Sequence, residues 1–182
     1  PCQFKTTSWE GLARGASKTT VYDAGRLVAS TPSRLYIDAE KTSEWRTKGF
    51  FAVFNEHEQT VEATRSANLI YRMLMLKQQH PWPSNDVSLA KLDISSTRSN
   101  MCPAGSEMDV YEQTVPQGGM PFGLPALSSE EQRTLLHWLE LGAPAEKRAA
   151  LPVDVLQEMA NWERFLNGSS NKEQLFARYA YE

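Results

Sequence analysis

The residues able to do chemistry are few in this chain and poorly grouped. Two cysteines, Cys2 and Cys102, stand 100 positions apart, and neither belongs to a C-x-x-C pair. Alone they cannot build a zinc site. In an oxidising compartment they could close a disulfide worth up to about 4.7 kcal/mol on loop-entropy grounds; otherwise they are two independent thiols. His57, His80 and His137 share no ligand spacing and read as surface or helix-edge residues. Gly-x-Ser-x-Gly is absent, and the Gly118-Gly119 pair lacks the flanking glycines and lysine of a phosphate loop. Metalloenzyme, hydrolase and nucleotide-binding readings have no residues to rest on.

The most distinctive stretch is Pro116-Gln117-Gly118-Gly119-Met120-Pro121-Phe122-Gly123-Leu124-Pro125, a glycine- and proline-rich loop. A methionine in such a loop commonly fills a gap in a core. It has a second use, since a thioether held in a rigid Met-Pro loop is how monohaem cytochromes present an axial ligand to iron. Met120 is therefore the candidate metal and cofactor ligand, and both readings stay open on pattern alone.

The elements that must position these residues come from 182 residues, 41% hydrophobic and 23% charged, with a formal charge of −3. That length fits one domain with a sizeable core. The mild acidity, with pI near 5.7 and no basic block, argues against a nucleic-acid partner. The longest apolar stretch, Leu69 to Leu76, is too short to span a bilayer. Pro1 at the start, and an amphipathic run that reaches Glu182 without a terminator, read as the ends of a fragment.

Capping and periodicity predict short helices at Ser8 to Ala16, Ser43 to Lys48 behind a capping Thr42, and Glu107 to Gln113. Ser17 to Asp38 reads mostly as loop, with an extended piece at Arg34 to Ile37, and Phe50 to Phe54 reads as a short extended run. Val61 to Gln79 carries the strongest core signal, with Ala63, Ala67, Ile70 and Leu74 on one stripe of a single central helix. His80-Pro81-Trp82-Pro83 stops it. Pro83 to Cys102 reads as a long excursion. Ser128 and Glu131 form a capping box ahead of a helix with Leu135, Trp138 and Leu139 inward, ended by Gly142 and Pro144. Val153 to Asn167 and a last helix capped by Ser170 and Glu173 follow. The fold class is mainly α with long loops and little or no sheet, one domain over 1–182 with C-terminal helices at 153–182.

Met120-Pro121, Gly123-Leu124-Pro125, Leu127-Ser128, Glu130-Glu131, Trp138-Leu139-Glu140 and Gly142-Ala143-Pro144 together resemble the final helix of class I cytochrome c domains. With Ser8-Trp9-Glu10-Gly11-Leu12-Ala13-Arg14-Gly15-Ala16, Arg34-Leu35-Tyr36-Ile37-Asp38-Ala39, Leu69-Ile70-Tyr71-Arg72-Met73-Leu74 and Trp162-Glu163-Arg164-Phe165-Leu166-Asn167-Gly168, essentially the entire chain resembles part of a bacterial fatty acid cis/trans isomerase.

The resemblance implies a cytochrome c-like helical core in a periplasmic, haem c-containing enzyme. Its substrate would be membrane phospholipid acyl chains, whose cis double bonds it turns to trans without nucleotide or reductant as a membrane stress response. The family attaches haem through C-x-x-C-H, which these residues lack; the family pattern places it just before Pro1, so the fragment is expected to be inactive and free of covalent haem. Met120, Pro121 and Phe122 would stand near the haem, with Trp9 and Leu12 on the short helix after the missing motif. The alternative is an electron carrier or a non-catalytic helical binding module of the same architecture.

Overall fold

A computed structural model describes residues 3–19, 33–82, 102–146 and 150–181. The chain divides into two compact units, Pro1–Ala145 and Glu146–Glu182, where the sequence reads as one domain. Among the described residues the secondary structure is helical, with isolated β-bridges and no strand. No helix among them is long and apolar enough to cross a membrane.

The larger unit begins with α1, Trp9–Arg14, whose Gly11 N–H donates to the Ser8 hydroxyl at 3.1 Å. It stops at Gly15, where φ is +84° and any Cβ would meet the Phe51 carbonyl, so only glycine turns the chain there. Beyond it, Ala16 exchanges backbone hydrogen bonds with Phe51, and Ser17 with Gln3. This is all that forms of the extended run expected at Phe50 to Phe54. The ladder ends because the Val53 carbonyl accepts the N–H groups of Leu69 and Ile70, at 3.0 and 3.4 Å, and serves the start of a helix instead.

Helix α2, Thr42–Thr47, opens one residue earlier than expected, and Thr42 lies inside it. Its cap is the Glu44 carboxylate, which accepts the Glu40 and Lys41 N–H groups at 2.9 and 3.1 Å. That is the reach-back half of a capping box. Trp45 is buried edge-on against Phe50, with ring centroids 5.0 Å apart. Arg46 ties α2 to the preceding helix by donating to the Ala13 and Arg14 carbonyls at 3.2 and 2.7 Å.

The single helix expected over Val61 to Gln79 is two helices, α3 at Val61–Ala67 and α4 at Leu69–Gln79. Asn68 divides them. Its backbone is extended, with φ −76° and ψ 113°, and its side-chain oxygen accepts the Tyr71 N–H at 3.0 Å. Asparagine competes well for such a donor, which favours a cap over a helix interior. The apolar stripe runs through the break, so periodicity alone hides it.

Helix α5, Met108–Thr114, follows a 3-10 turn at Gly105–Glu107 and buries Met108 and Tyr111. Arg72 of α4 bridges to Asp109 and Glu112 of α5, at 2.7 and 2.8 Å. Helix α6, Ser129–Glu140, has the expected Ser128–Glu131 capping box and ends through Gly142 at φ +84°. The Ala143 carbonyl just past it accepts the Trp9 indole N–H at 2.7 Å, joining residues 134 positions apart.

The smaller unit holds α7, Val153–Leu166, and α8, Asn171–Tyr181. Ser170 and Glu173 form the expected second box, and Trp162, Phe165 and Phe176 pack edge-to-face or tilted with centroids 5.2–6.4 Å apart.

Replacing Asn68 by Ala removes the acceptor for a buried N–H and should lower stability by about 1–2 kcal/mol, a fall of roughly 2–8 °C in Tm. Thermal unfolding that leaves Tm unchanged would show that the break is held by something else.

Candidate functional site

The larger unit encloses an apolar cavity of about 720 Å³, within the usual size of small-molecule sites. One wall is the stripe Leu69, Ile70, Met73 and Leu74 of α4, and another is Leu135, Trp138 and Leu139 of α6. Leu12 of α1 and Tyr111 of α5 contribute further walls. Gly118, Met120, Pro121 and Phe122 supply the fourth side from the loop between α5 and α6.

Backbone contacts hold that loop in place. Met120 donates its N–H to the Met73 carbonyl at 3.0 Å, and the Tyr111 hydroxyl donates to the Gly118 carbonyl at 3.0 Å. A Cβ at Gly119 would strike the Lys77 backbone, and one at Gly118 would strike the Tyr111 ring. The two glycines therefore let the loop rest on α4 and α5 directly. Met120 is 37% exposed and lines the cavity, and its peptide bond to Pro121 is cis. The wall opens to solvent there and at Phe122 and Leu135, which are also partly exposed.

No Asp, Glu, Lys, Arg or His belongs to the described wall. Burial pushes the Tyr111 phenol upward, so it stays a neutral hydrogen-bond donor. Cys102 lies on the wall and is disulfide-bonded, which removes it as a nucleophile; Cys2 lies outside the described residues. Among its described lining residues the cavity thus offers no carboxylate, amine, imidazole or free thiol, and its candidate metal donors are the thioethers of Met73 and Met120, of which Met120 is the partly exposed one in the loop. No cluster of three His, Cys, Asp or Glu able to hold a metal exists among the described residues. Pro121, Phe122 and Leu12 stand on the wall with Met120, whereas Trp9 is committed to the Ala143 carbonyl.

The other face of α6 borders a polar groove of about 670 Å³, with Gln132, Arg133, His137 and Glu140 opposite Arg65 and Tyr71. Arg65 pairs with Glu140 at 2.9 Å, and that hydrogen bond raises the arginine's pKa. His137 belongs to this groove rather than to the cavity.

Two buried cations escaped the sequence reading. Arg14 lays its guanidinium 4.7 Å from the Phe50 ring centroid and 5.5 Å from that of Trp45. Lys77 is 1% exposed, its ammonium has no hydrogen-bond partner among the described residues, and it lies 5.6 Å from the Trp82 ring centroid. Burial lowers the pKa of both. The signal for Lys77 was present, because it continues the Ile70, Met73 and Leu74 stripe by one turn.

Residues 30–182 match the family described as fatty acid cis/trans isomerase (CTI). No curated protein and no solved structure matches the chain.

Because burial lowers the Lys77 pKa, the unfolded chain holds this proton to higher pH than the folded one. The charged amine therefore opposes folding at neutral pH, and stability rises as pH climbs through its folded pKa toward the unfolded value. Lys77→Met, close in volume, should raise stability at neutral pH by about 1 kcal/mol, the desolvation cost being partly offset by the lost contact with Trp82. It should also abolish the alkaline rise. Denaturant titrations at neutral and alkaline pH test this, and a Met variant less stable than the parent at neutral pH would sink it.

Proposed function

The chain belongs to the fatty acid cis/trans isomerase family, and from that membership we propose that its apolar cavity takes an unsaturated acyl chain of a membrane phospholipid against a haem c, in a periplasmic enzyme. The family's activity is isomerisation of a fatty acid double bond. The observation that carries the reading is the uncharged cavity with a thioether in its wall.

A carbon double bond turns only when its π character is briefly withdrawn, and that is the chemistry a haem iron supplies when bound. The residues present would fit such a group as apolar walls and as a thioether donor. Apolar side chains from α4 and α6 would flank the macrocycle, and Met120 would offer its sulfur. None of the three histidines lines the cavity. A histidine ligand and a C-x-x-C-H attachment would have to come from residues other than these. Disulfide-bonded Cys102 favours an oxidising compartment, which supports the periplasmic location.

The chain's own residues bind and exclude. The walls of α4 and α6 gain free energy from each buried methylene, about 0.8 kcal/mol, and they keep water from the bond. Isomerisation moves no net proton, so a wall without titratable carboxylate, amine or imidazole suits it. The Tyr111 hydroxyl keeps its proton, donates a hydrogen bond to the Gly118 carbonyl and so positions the Met120 loop.

The full-length, haem-loaded protein should convert cis-monounsaturated phospholipid chains to trans with no nucleotide or reductant added, read by gas chromatography of the released fatty acids. Met120→Ala should turn a low-spin haem spectrum high-spin while isomerisation persists or rises, since removing a ligating thioether would free the position that a substrate needs. Lack of a Soret band in the full-length protein would remove the haem from the reading. Loss of the low-spin spectrum without any isomerisation in the parent would favour an electron carrier.

A further inference from the structure

The lip of the cavity carries information that the cavity itself does not. Gly119 to Leu127 is nine residues without a charge. Phe122 is 50% and Leu124 59% exposed, although both sit in a loop anchored to α4 by Met120. Phe122 is at once wall and surface, and Leu124 lies between the wall residues Phe122 and Leu127 without itself belonging to the wall. Across the opening Leu135 of α6 is also part-exposed. The apolar interior of the cavity therefore continues outward at Met120, Phe122 and Leu135 as part-exposed apolar side chains.

Trp82 adds a second observation. Its ring packs edge-on against Phe122 with centroids 6.3 Å apart, while its indole N–H donates to the Gln117 carbonyl at 3.1 Å. A tryptophan with one apolar edge and its polar atom tied to backbone suits the boundary between water and lipid. An exposed apolar patch rimming a ligand cavity is a site of contact. The occupant must match an uncharged surface and must hold the water-insoluble ligand the cavity would take.

The geometry points to the Met120–Leu127 lip as a bilayer-docking edge, through which an acyl chain passes from membrane to cavity without entering water. This rests on the proposed use of the cavity for an acyl chain. Because the lip has no lysine or arginine, its attachment comes from inserting apolar side chains, and it should depend little on anionic lipid or salt.

The test uses the full-length protein and vesicles of cis-monounsaturated phosphatidylcholine. Leu124→Asp should weaken vesicle binding by about tenfold or more, the worth of one inserted leucine lost and a charge added, and Leu124→Phe should preserve it. Vesicles with brominated chains should quench tryptophan emission in the parent, and Trp82→Phe should remove most of that quenching. Raising the salt should leave parental binding unchanged. Equal vesicle affinity for parent and Leu124→Asp, or quenching unaffected by Trp82→Phe, overturns the docking edge. So does self-association of the parent that Leu124→Asp abolishes, which would assign the patch to a second copy. A short, water-soluble cis-unsaturated acid is the separate probe of the cavity. If parent and Leu124→Asp bind it equally while only the parent binds vesicles, the docking edge stands; if neither binds it, the cavity reading fails, and the vesicle results alone decide the edge.

Discussion

The loop that carries Met120 lies against α4 with no side chain between the two backbones, and the cavity exists because of it. Consecutive glycines permit the approach, since Gly119 meets the Lys77 backbone and Gly118 meets the Tyr111 ring. The Met120 N–H then adds to the Met73 carbonyl, and the Tyr111 hydroxyl takes up the Gly118 carbonyl, so the polar groups of a nearly buried backbone are paired. From this anchor the loop turns through Gly123, at φ +69°, and reaches the Ser128 capping box of α6. Any larger residue at Gly119 would lift the loop off its support, and Met120 with it.

Charge is distributed so that the cavity stays free of it. Arg72, Arg65 and Arg46 all find carboxylates, but on the outer sides of the helices, where solvent screens the pairs. Arg46 matters more for geometry, because it satisfies carbonyls at the end of α1 that the helix leaves open. Helix α6 divides the two environments. Leu135, Trp138 and Leu139 face the apolar cavity, and Gln132, Arg133 and His137 border the polar groove. That division follows from the 3.6-residue period, and the double cap holds the helix at one rotation about its axis.

Local chemistry was the legible part of the sequence. Both Ser–x–x–Glu boxes are where the pattern puts them, because the signal and the hydrogen bonds lie within four residues. The Asn68 break was not legible, since Leu69 and Ile70 continue the stripe of α3 and the competing acceptor, the Val53 carbonyl, is distant in sequence. The same carbonyl explains why the apolar run at Phe50 to Phe54 extends to no strand. Met120 stood out by its glycine and proline neighbours. That Met73, Leu74 and Leu139 surround a void could not be read, because residues lining a cavity and residues filling a core have one pattern. The division at Glu146 was equally hidden, as the pattern of α7 and α8 is that of ordinary amphipathic helices.

The divided helix has a consequence for how the fold opens. A continuous helix would transmit fraying from its exposed first turns into the stretch that walls the cavity. With Asn68 capping α4 independently and the Val53 carbonyl holding its first donors, α3 can unwind and reclose as a unit of its own while α4 keeps its hydrogen bonds. Amide exchange in the two helices should then fall at different free-energy levels, lower for α3 than for α4. Asn68 acts as a firebreak that insulates the cavity wall from motion at the surface.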